Sequence, residues 1–306
     1  MNLPFAKFQG TGNDFVVLDG RSGAPAAGAE WPVLAQRMCD RHYGIGADGI
    51  LVALEADAVA PQAARVRMRM FNPDGSEAEM CGNGLRCFAR WLWDAGEIST
   101  GSTRIQTGAG VLRVDLSPDG GVTASMGVPR LAPDQIPLSA AATSHLGKEG
   151  PILALSVPLP APVAGWDGPA EATCVSMGNP HAVLFVDDVA SVPLERIGPL
   201  IEHAAAFPAR INVEFCQVLS PDQIRVRVWE RGAGITLACG TGACAAMVAA
   251  RLHELVGERV KVALPGGDLV VTWPGEGEEV TLSGPAVRVF DGEWPGKRWE
   301  VAGKKG

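Results

Sequence analysis

Two cysteine turns carry the strongest chemical signal in the chain. "EMCGNGLRC" runs from Glu79 to Cys87 and "LACGTGACA" from Leu237 to Ala245, so Cys81 and Cys239 stand 158 residues apart, each before Gly-x-Gly. A glycine-rich turn opening a helix leaves backbone N–H groups without acceptors and aims the positive end of the helix dipole outward. That geometry binds a carboxylate or a phosphate, and it lowers a cysteine pKa toward a thiolate near neutral pH. A single copy reads equally well as a packing cysteine beside a helix start. Two copies at equivalent places of a repeat point to chemistry that needs a matched pair. Inversion of a stereocentre next to a carboxylate is such a chemistry. One group removes the α-proton from one face, and a second, protonated group delivers a proton to the other. Backbone N–H groups of Gly82–Asn83 and Gly240–Thr241 would hold the charge that develops on the carboxylate. This chemistry calls for neither metal nor cofactor.

The elements that position these turns are themselves repeated. "RMRMFN" (67–72) and "RVRVWE" (225–230) share the 158-residue offset and alternate charged with apolar residues, the period of a half-exposed strand. Their arginines read as a solvated strand face. Upstream, "GTGNDFVVLD" is echoed by "SMGNPHAVLFVD"; downstream, each half reads strand, strand, Gly-containing turn, strand. The helix after Cys81 places Leu85, Phe88, Trp91 and Leu92 on one side and ends at Gly96, whereas the helix after Cys239 is apolar almost all round until Arg251. The expected fold is α+β: two pseudo-symmetric domains, each a mostly antiparallel sheet or barrel wrapped around a central helix. The expected boundaries are 1–128 and 129–286, with a Pro/Gly/Ala-rich connector and irregular structure over 129–170.

Bulk composition narrows the function classes. At 306 residues, 47% hydrophobic and 20% charged, the chain buries a substantial core. A net charge of -8 without a Lys/Arg cluster argues against a nucleic-acid partner. The opening "MNLPFAKFQGTGNDF" lacks the pattern of a signal peptide, and no run of about 18 apolar residues is present to span a membrane. Seven cysteines without an export signal read as reduced thiols of a cytoplasmic protein, and their spacing does not suit zinc.

Among the remaining polar residues, Asn13 and Asn179 each follow a glycine, which also suits a plain turn. Asn72 and Glu230 stand at equivalent strand ends, one a neutral amide and the other an acid followed by Arg231. Broken symmetry at a repeated site suits an asymmetric, zwitterionic ligand. His181 follows a Gly-Asn-Pro turn opposite Phe15 of the other repeat, which makes it a candidate to influence a thiol. Cys39, Cys174 and Cys216 lack a glycine turn, and Cys87 and Cys244 lie in first helical turns; all five read as packing. His42, His145, His203 and His253 receive no role.

"GTGNDF", "GIGADG", "FNPDGSEAEMCGNGLRC", "MGNPHAV", "INVEF", "ERGAGITLACGTGACA" and "SGPAVRVF" occur in the order seen in diaminopimelate epimerases, which the chain resembles over nearly its whole length. The resemblance implies cofactor-independent interconversion of LL- and meso-diaminopimelate, in lysine and peptidoglycan-precursor synthesis. It implies that Cys239 deprotonates the LL-substrate and Cys81 reprotonates it. Gly82, Asn83, Gly240 and Thr241 match the α-carboxylate cradle, where Thr241 replaces a frequent Ser. Asn13, Asn72, Asn179, Asn212, Glu230 and Arg231 match substrate-binding positions, and His181 and Glu230 match residues that tune the thiols. Gly49 departs from the pattern, since some members carry a Gln ligand there. The resemblance also implies a homodimer and a last strand, within 287–300, that completes the first domain. Competing readings are a proline or hydroxyproline racemase, in which a histidine typically follows the first Cys-Gly where Asn83 stands here, and a cysteine hydrolase, which leaves one thiol idle.

Overall fold

The computed structural model describes residues 2–57, 64–144, 149–160, 162–166 and 170–295. Along the chain these form β1 (Leu3–Gly10), β2 (Asn13–Asp19), α1 (Trp31–Met38), β3 (Gly49–Glu55), β4 (Val66–Phe71), β5 (Glu77–Ala78), α2 (Gly82–Asp94), β6 (Gly101–Thr107), β7 (Gly110–Leu116) and β8 (Val122–Ser125). There follow α3 (Ala140–Thr143), β9 (Ile152–Ser156), β10 (Glu171–Ser176), β11 (Pro180–Phe185), α4 (Leu194–Glu202), β12 (Asn212–Ser220), β13 (Gln223–Glu230) and β14 (Gly234–Ile235). The last are α5 (Gly240–Leu252), β15 (Arg259–Leu264), β16 (Gly267–Thr272), β17 (Thr281–Gly284) and β18 (Val287–Trp294). The chain divides into two compact units: Met1–Ala124 with the segment beginning at Pro285, and Ser125–Gly284.

The two units have one topology. In the first, strands neighbour in the order β18, β1, β2, β3, β4, β6, β7, β8; only β2/β3 and β4/β6 are parallel. In the second the order is β9, β10, β11, β12, β13, β15, β16, β17, with β11/β12 and β13/β15 parallel. The α+β class expected from the repeat is the architecture found. Each repeat borrows one outer strand: β9 precedes its own repeat in the chain, while β18 comes from the far end of the sequence and pairs with β1, Leu3 opposite Trp294. Residues 296–300 of the expected crossing segment lie outside the described residues.

The connector departs from expectation. Within 129–170 the segment "ILALS" forms β9, pairing Ser156 with Glu171 and burying only Ile152 and Leu155. A short edge strand with two inward residues gives too little alternation to stand out from its Pro/Gly/Ala flanks.

Each central helix follows from its sequence. In α2, Leu85, Phe88, Ala89 and Leu92 are fully buried against β1, β2 and β4, and Trp91 stays half-buried against Phe88. The helix closes with Gly96 at φ 74° and a Glu97 N–H to Leu92 O bond, a Schellman end. Every residue of α5 from Gly242 to Ala250 is buried, and the helix packs on β10–β13 and β15–β17, as its all-round apolarity requires. It closes by the same bond pattern, Leu255 N–H to Ala250 O, but with Glu254 in the left-handed conformation at φ 58°.

Candidate active site: two cysteine half-sites

In the first unit Cys81 is the N-cap of α2, in extended conformation, and its sulfur accepts the Gly84 N–H at 3.4 Å. The N–H groups of Gly82 and Asn83, in the first turn, have no intrahelical acceptor by construction and point in the capping direction. Asn13, at the start of β2, lies beside the thiol: its Oδ1 accepts from Cys81 Sγ at 3.7 Å and from Asn83 Nδ2 at 3.4 Å. The amide is held from behind, because Asn13 Nδ2 donates to Asp48 Oδ2 at 2.5 Å while Arg41 grips Asp48 Oδ1 at 2.7 Å. Asn83 is fixed in turn by the buried Arg86, which donates to Asn83 Oδ1 (2.9 Å) and Thr11 Oγ1 (3.2 Å). Asn72, where β4 ends, turns its side chain to Ser76 Oγ at 3.0 Å.

In the second unit Cys239 is the N-cap of α5 and accepts the Gly242 N–H at 3.4 Å. The first-turn N–H groups of Gly240 and Thr241 are placed like those of Gly82 and Asn83. Thr241 Oγ1 lies 3.4 Å from the sulfur and accepts from Asn179 Nδ2 at 3.2 Å. Asn179 Oδ1 faces His181 Nε2 at 3.0 Å, and His181 Nδ1 faces Glu214 Oε1 at 2.7 Å. Glu230, at the end of β13, takes the Thr236 hydroxyl at 2.5 Å, and its charge acts on Cys239. Asn212 is buried with both ends of its amide on backbone: it donates to Pro180 O (2.9 Å) and accepts the Arg231 N–H (2.9 Å). It therefore fixes the turn that carries Arg231, whose exposed guanidinium reaches Ala209 O at 3.2 Å. Glu202 supports the same turn, accepting Trp229 Nε1 (2.7 Å) and the Gly232 N–H (3.0 Å).

The electrostatics reverse one expectation. A helix N-terminus was expected to lower the thiol pKa, yet that of Cys239 lies well above its ordinary value. Burial is the largest cause, followed by the charges of Glu230 and Glu214, and the Thr241 and Gly242 hydrogen bonds only offset part of it. Glu230 is raised as well, first by burial, against the hydrogen bond from Thr236. Two acids close together out of water disfavour double ionisation.

Cys87, Cys174, Cys216 and Cys39 are buried thiols pushed up to about 12, chiefly by burial, as befits packing residues. Cys244 is fully buried too. His253 caps α5 and contacts Thr173 Oγ1 at 2.8 Å, His42 and His203 are exposed, and His145 lies outside the described residues. Gly49 has a packing reason: a Cβ there would stand 2.8 Å from Phe71 O, so a side chain fits only if the backbone shifts. Sequence reasoning missed Asp48, Arg86, Glu202 and Glu214. Asp48 and Glu214 lie inside the quoted motifs "GIGADG" and "INVEF", but nothing in a linear motif says that a carboxylate is buried behind an amide. Among the described residues no group of three or more His, Cys, Asp or Glu side chains is placed to hold a metal ion, and no helix is long and apolar enough to cross a membrane.

The chain has relatives among known proteins. A family model described as diaminopimelate epimerase matches residues 5–132 and 173–289. The diaminopimelate epimerase 1 of Nostoc sp. is 48% identical over 295 residues, covering 96% of this chain and 100% of that protein. The diaminopimelate epimerase of Pelotomaculum thermopropionicum is 46% identical over 297 residues, covering 96% and 99%. Among solved structures, a probable proline racemase from Agrobacterium radiobacter K84 superposes with a TM-score of 0.66 at 15% identity, covering 98% of this chain and 94% of that one. A phenazine biosynthesis PhzF-family protein of Bacillus anthracis does so at 0.63 and 16%, covering 96% and 99%. At these identities the solved structures share the fold alone, whereas the family model and the two relatives run through both cysteine turns. The chain belongs to the diaminopimelate epimerase family.

Proposed function

We propose that the protein epimerises LL-diaminopimelate to meso-diaminopimelate and back, without a cofactor, using Cys81 and Cys239 as the two proton-transfer groups. The observation that carries this reading is the repeated N-cap: each thiol sits on the first turn of a central helix, beside two N–H groups free to hold one carboxylate. In the LL-to-meso direction Cys239 removes the α-proton and Cys81 delivers one to the opposite face; the roles exchange in reverse. Cys239 must first lose its own proton, and Glu230, whose charge acts on the thiol and which is itself raised, is the group placed to take it. A bound α-ammonium and α-carboxylate would expel water from both.

Gly82, Asn83, Gly240 and Thr241 are assigned to the α-carboxylate, and Asn13 to orienting Cys81 and Asn83. Asn72, Asn179, Asn212, Glu230 and Arg231 are assigned to the distal amine and carboxylate. Asn212 acts there through the Arg231 turn that it fixes. A homodimer is supported by β18, an outer strand whose Val287, Val289 and Phe290 are 46, 54 and 47% exposed. A cytoplasmic location is supported by seven free cysteines.

The test is α-proton exchange in D2O with reduced protein and no added cofactor, with diaminopimelate, proline and hydroxyproline in parallel. Exchange confined to diaminopimelate is expected. Exchange of the cyclic imino acids instead would replace the proposed substrate, and no exchange at all would remove the enzyme reading.

A further inference from the structure

Glu214 is the residue the packing does not explain. Its side chain is 0% exposed, Oε1 is committed to His181, and Oε2 has no hydrogen-bond partner among the described residues. Leaving a carboxylate oxygen buried and unpaired costs stability. The repeat supplies an internal comparison. The registers Phe15 opposite Gly49 and His181 opposite Asn212 make Leu51 and Glu214 equivalent, each two residues farther along its strand. Both lie beneath a cysteine turn: Leu51 Cδ2 is 3.2 Å from a Cβ built on Gly84, and Glu214 Oε1 is 2.6 Å from one built on Gly242. A leucine therefore satisfies this floor, with Phe15 where the other unit has His181.

We propose that Glu214 is a positioning residue for Cys239, acting through His181, Asn179 and Thr241 to aim the Thr241 hydroxyl at the thiol sulfur. The proposal rests on the reading of Cys239 as a proton-transfer group. Glu214 Oε1 stands at Nδ1 and Asn179 Oδ1 at Nε2, so both ring nitrogens face oxygen acceptors and each contact is made best when its nitrogen carries a hydrogen. Asn179 Oδ1 is then engaged, so Nδ2 faces Thr241 Oγ1, and the Thr241 proton is left for sulfur. Exchange Glu214 for an uncharged amide and the ring keeps one hydrogen, on Nδ1. Nε2 becomes an acceptor, the Asn179 amide turns to donate to it, and Oδ1 now draws the Thr241 proton away from Cys239. In the first unit the amide of Asn13 meets its thiol directly and is oriented by Asp48, so no such chain exists there.

The groups facing this site are His181 on β11, Glu214 on β12, Glu230 on β13 and the Thr241 and Gly242 donors of α5, with Cys216 next to Glu214 on its own strand. The experiment compares wild type, Glu214→Gln, Glu214→Leu and His181→Phe/Glu214→Leu, which copies the floor of the first unit, for kcat, KM and the pH dependence of Cys239 alkylation. Expected are a fall in kcat of about 10- to 100-fold for Glu214→Gln, with KM rising by a smaller factor than kcat falls. Onset of Cys239 alkylation should move to higher pH, because the Glu214 charge is lost together with the ring hydrogen it supports and the thiolate no longer has the Thr241 hydroxyl as a donor. The double variant should lose no more than Glu214→Leu, since the pair acts as one unit. Wild-type kcat and an unmoved alkylation profile in Glu214→Gln, isosteric and folded by circular dichroism, would overturn the proposal. Cys239→Ala separates the premises. If it stays active, the two-thiol reading fails; if it is inactive while Glu214→Gln is unaltered, only the role of Glu214 fails.

Discussion

Replacing Gly242 by alanine, with Gly84→Ala as its matched control, isolates the close approach beneath the Cys239 turn. Both glycines are the third helical residue after their cysteine, so any gain in helix propensity, at most about 1 kcal/mol, is common to the two variants. At Gly84 the added methyl meets the flexible tip of Leu51 at 3.2 Å and the Cys81 Cβ at 3.5 Å, and a shift of a few tenths of an ångström relieves it. Gly84→Ala is expected to lie within about 0.5 kcal/mol of wild type. At Gly242 the methyl meets Glu214 Oε1 at 2.6 Å and Cys239 Sγ at 3.3 Å. Restoring an ordinary 3.4 Å contact displaces by about 0.8 Å the same carboxylate oxygen that meets the His181 ring at 2.7 Å. A disrupted charge-assisted hydrogen bond costs about 1.5–3 kcal/mol and overpacking about 1–3 kcal/mol, so a net loss of about 1.5–5 kcal/mol remains after a propensity gain of up to about 1 kcal/mol. Urea denaturation reads the stability difference, and kcat/KM reads the displacement of the thiol. Equal stability and activity of the two alanine variants would refute the claim that Glu214 is pinned against α5.

Other perturbations follow from single positions. Glu230 is raised in the folded chain, so burying it favours its protonated form; that stabilisation is present below its unfolded pKa near 4.5 and is lost as pH rises through the folded value. Glu230→Gln should accordingly raise the melting temperature at pH 7–8, with the gain vanishing toward pH 4, while epimerisation falls; a pH-independent difference would contradict the burial argument. Glu254 holds the left-handed helix-end conformation that Gly96 occupies in the other repeat, so Glu254→Gly should stabilise by about 0.5–1 kcal/mol without changing kcat, measured by urea titration. Gly49→Gln forces a Cβ to 2.8 Å from the Phe71 carbonyl and should cost about 1–3 kcal/mol; wild-type stability would mean that β3 and β4 separate easily at that point.

The sequence made the repeat legible because the cysteine turns, the alternating strands and the meanders share their spacing, and helix and strand periods survive without tertiary context. Helix ends were readable where a glycine marks them, as at Gly96, and hidden where Glu254 takes the same backbone conformation. The edge strand β9 was lost because only Ile152 and Leu155 turn inward. The direction of the Cys239 shift was misjudged because the dipole of a helix start is visible in "CGTG", whereas the burial and the two carboxylates that outweigh it belong to other strands. For the same reason Asn13 and Asn179 look alike in sequence, yet one is set by Asp48 and the other by a buried His181–Glu214 pair.

The central claim is that two thiols act on opposite faces of one carbon, and the most direct measurement is the early isotope distribution in D2O starting from LL-diaminopimelate. The acid that delivers the proton has equilibrated with solvent, whereas the proton removed stays on the face from which it came. Deuterium is therefore expected at the inverted centre of the meso product before it accumulates in recovered LL-substrate, and epimerisation should be abolished in both Cys81→Ala and Cys239→Ala. Equal early labelling of substrate and product, or full turnover by either single-cysteine variant, would contradict the two-thiol account.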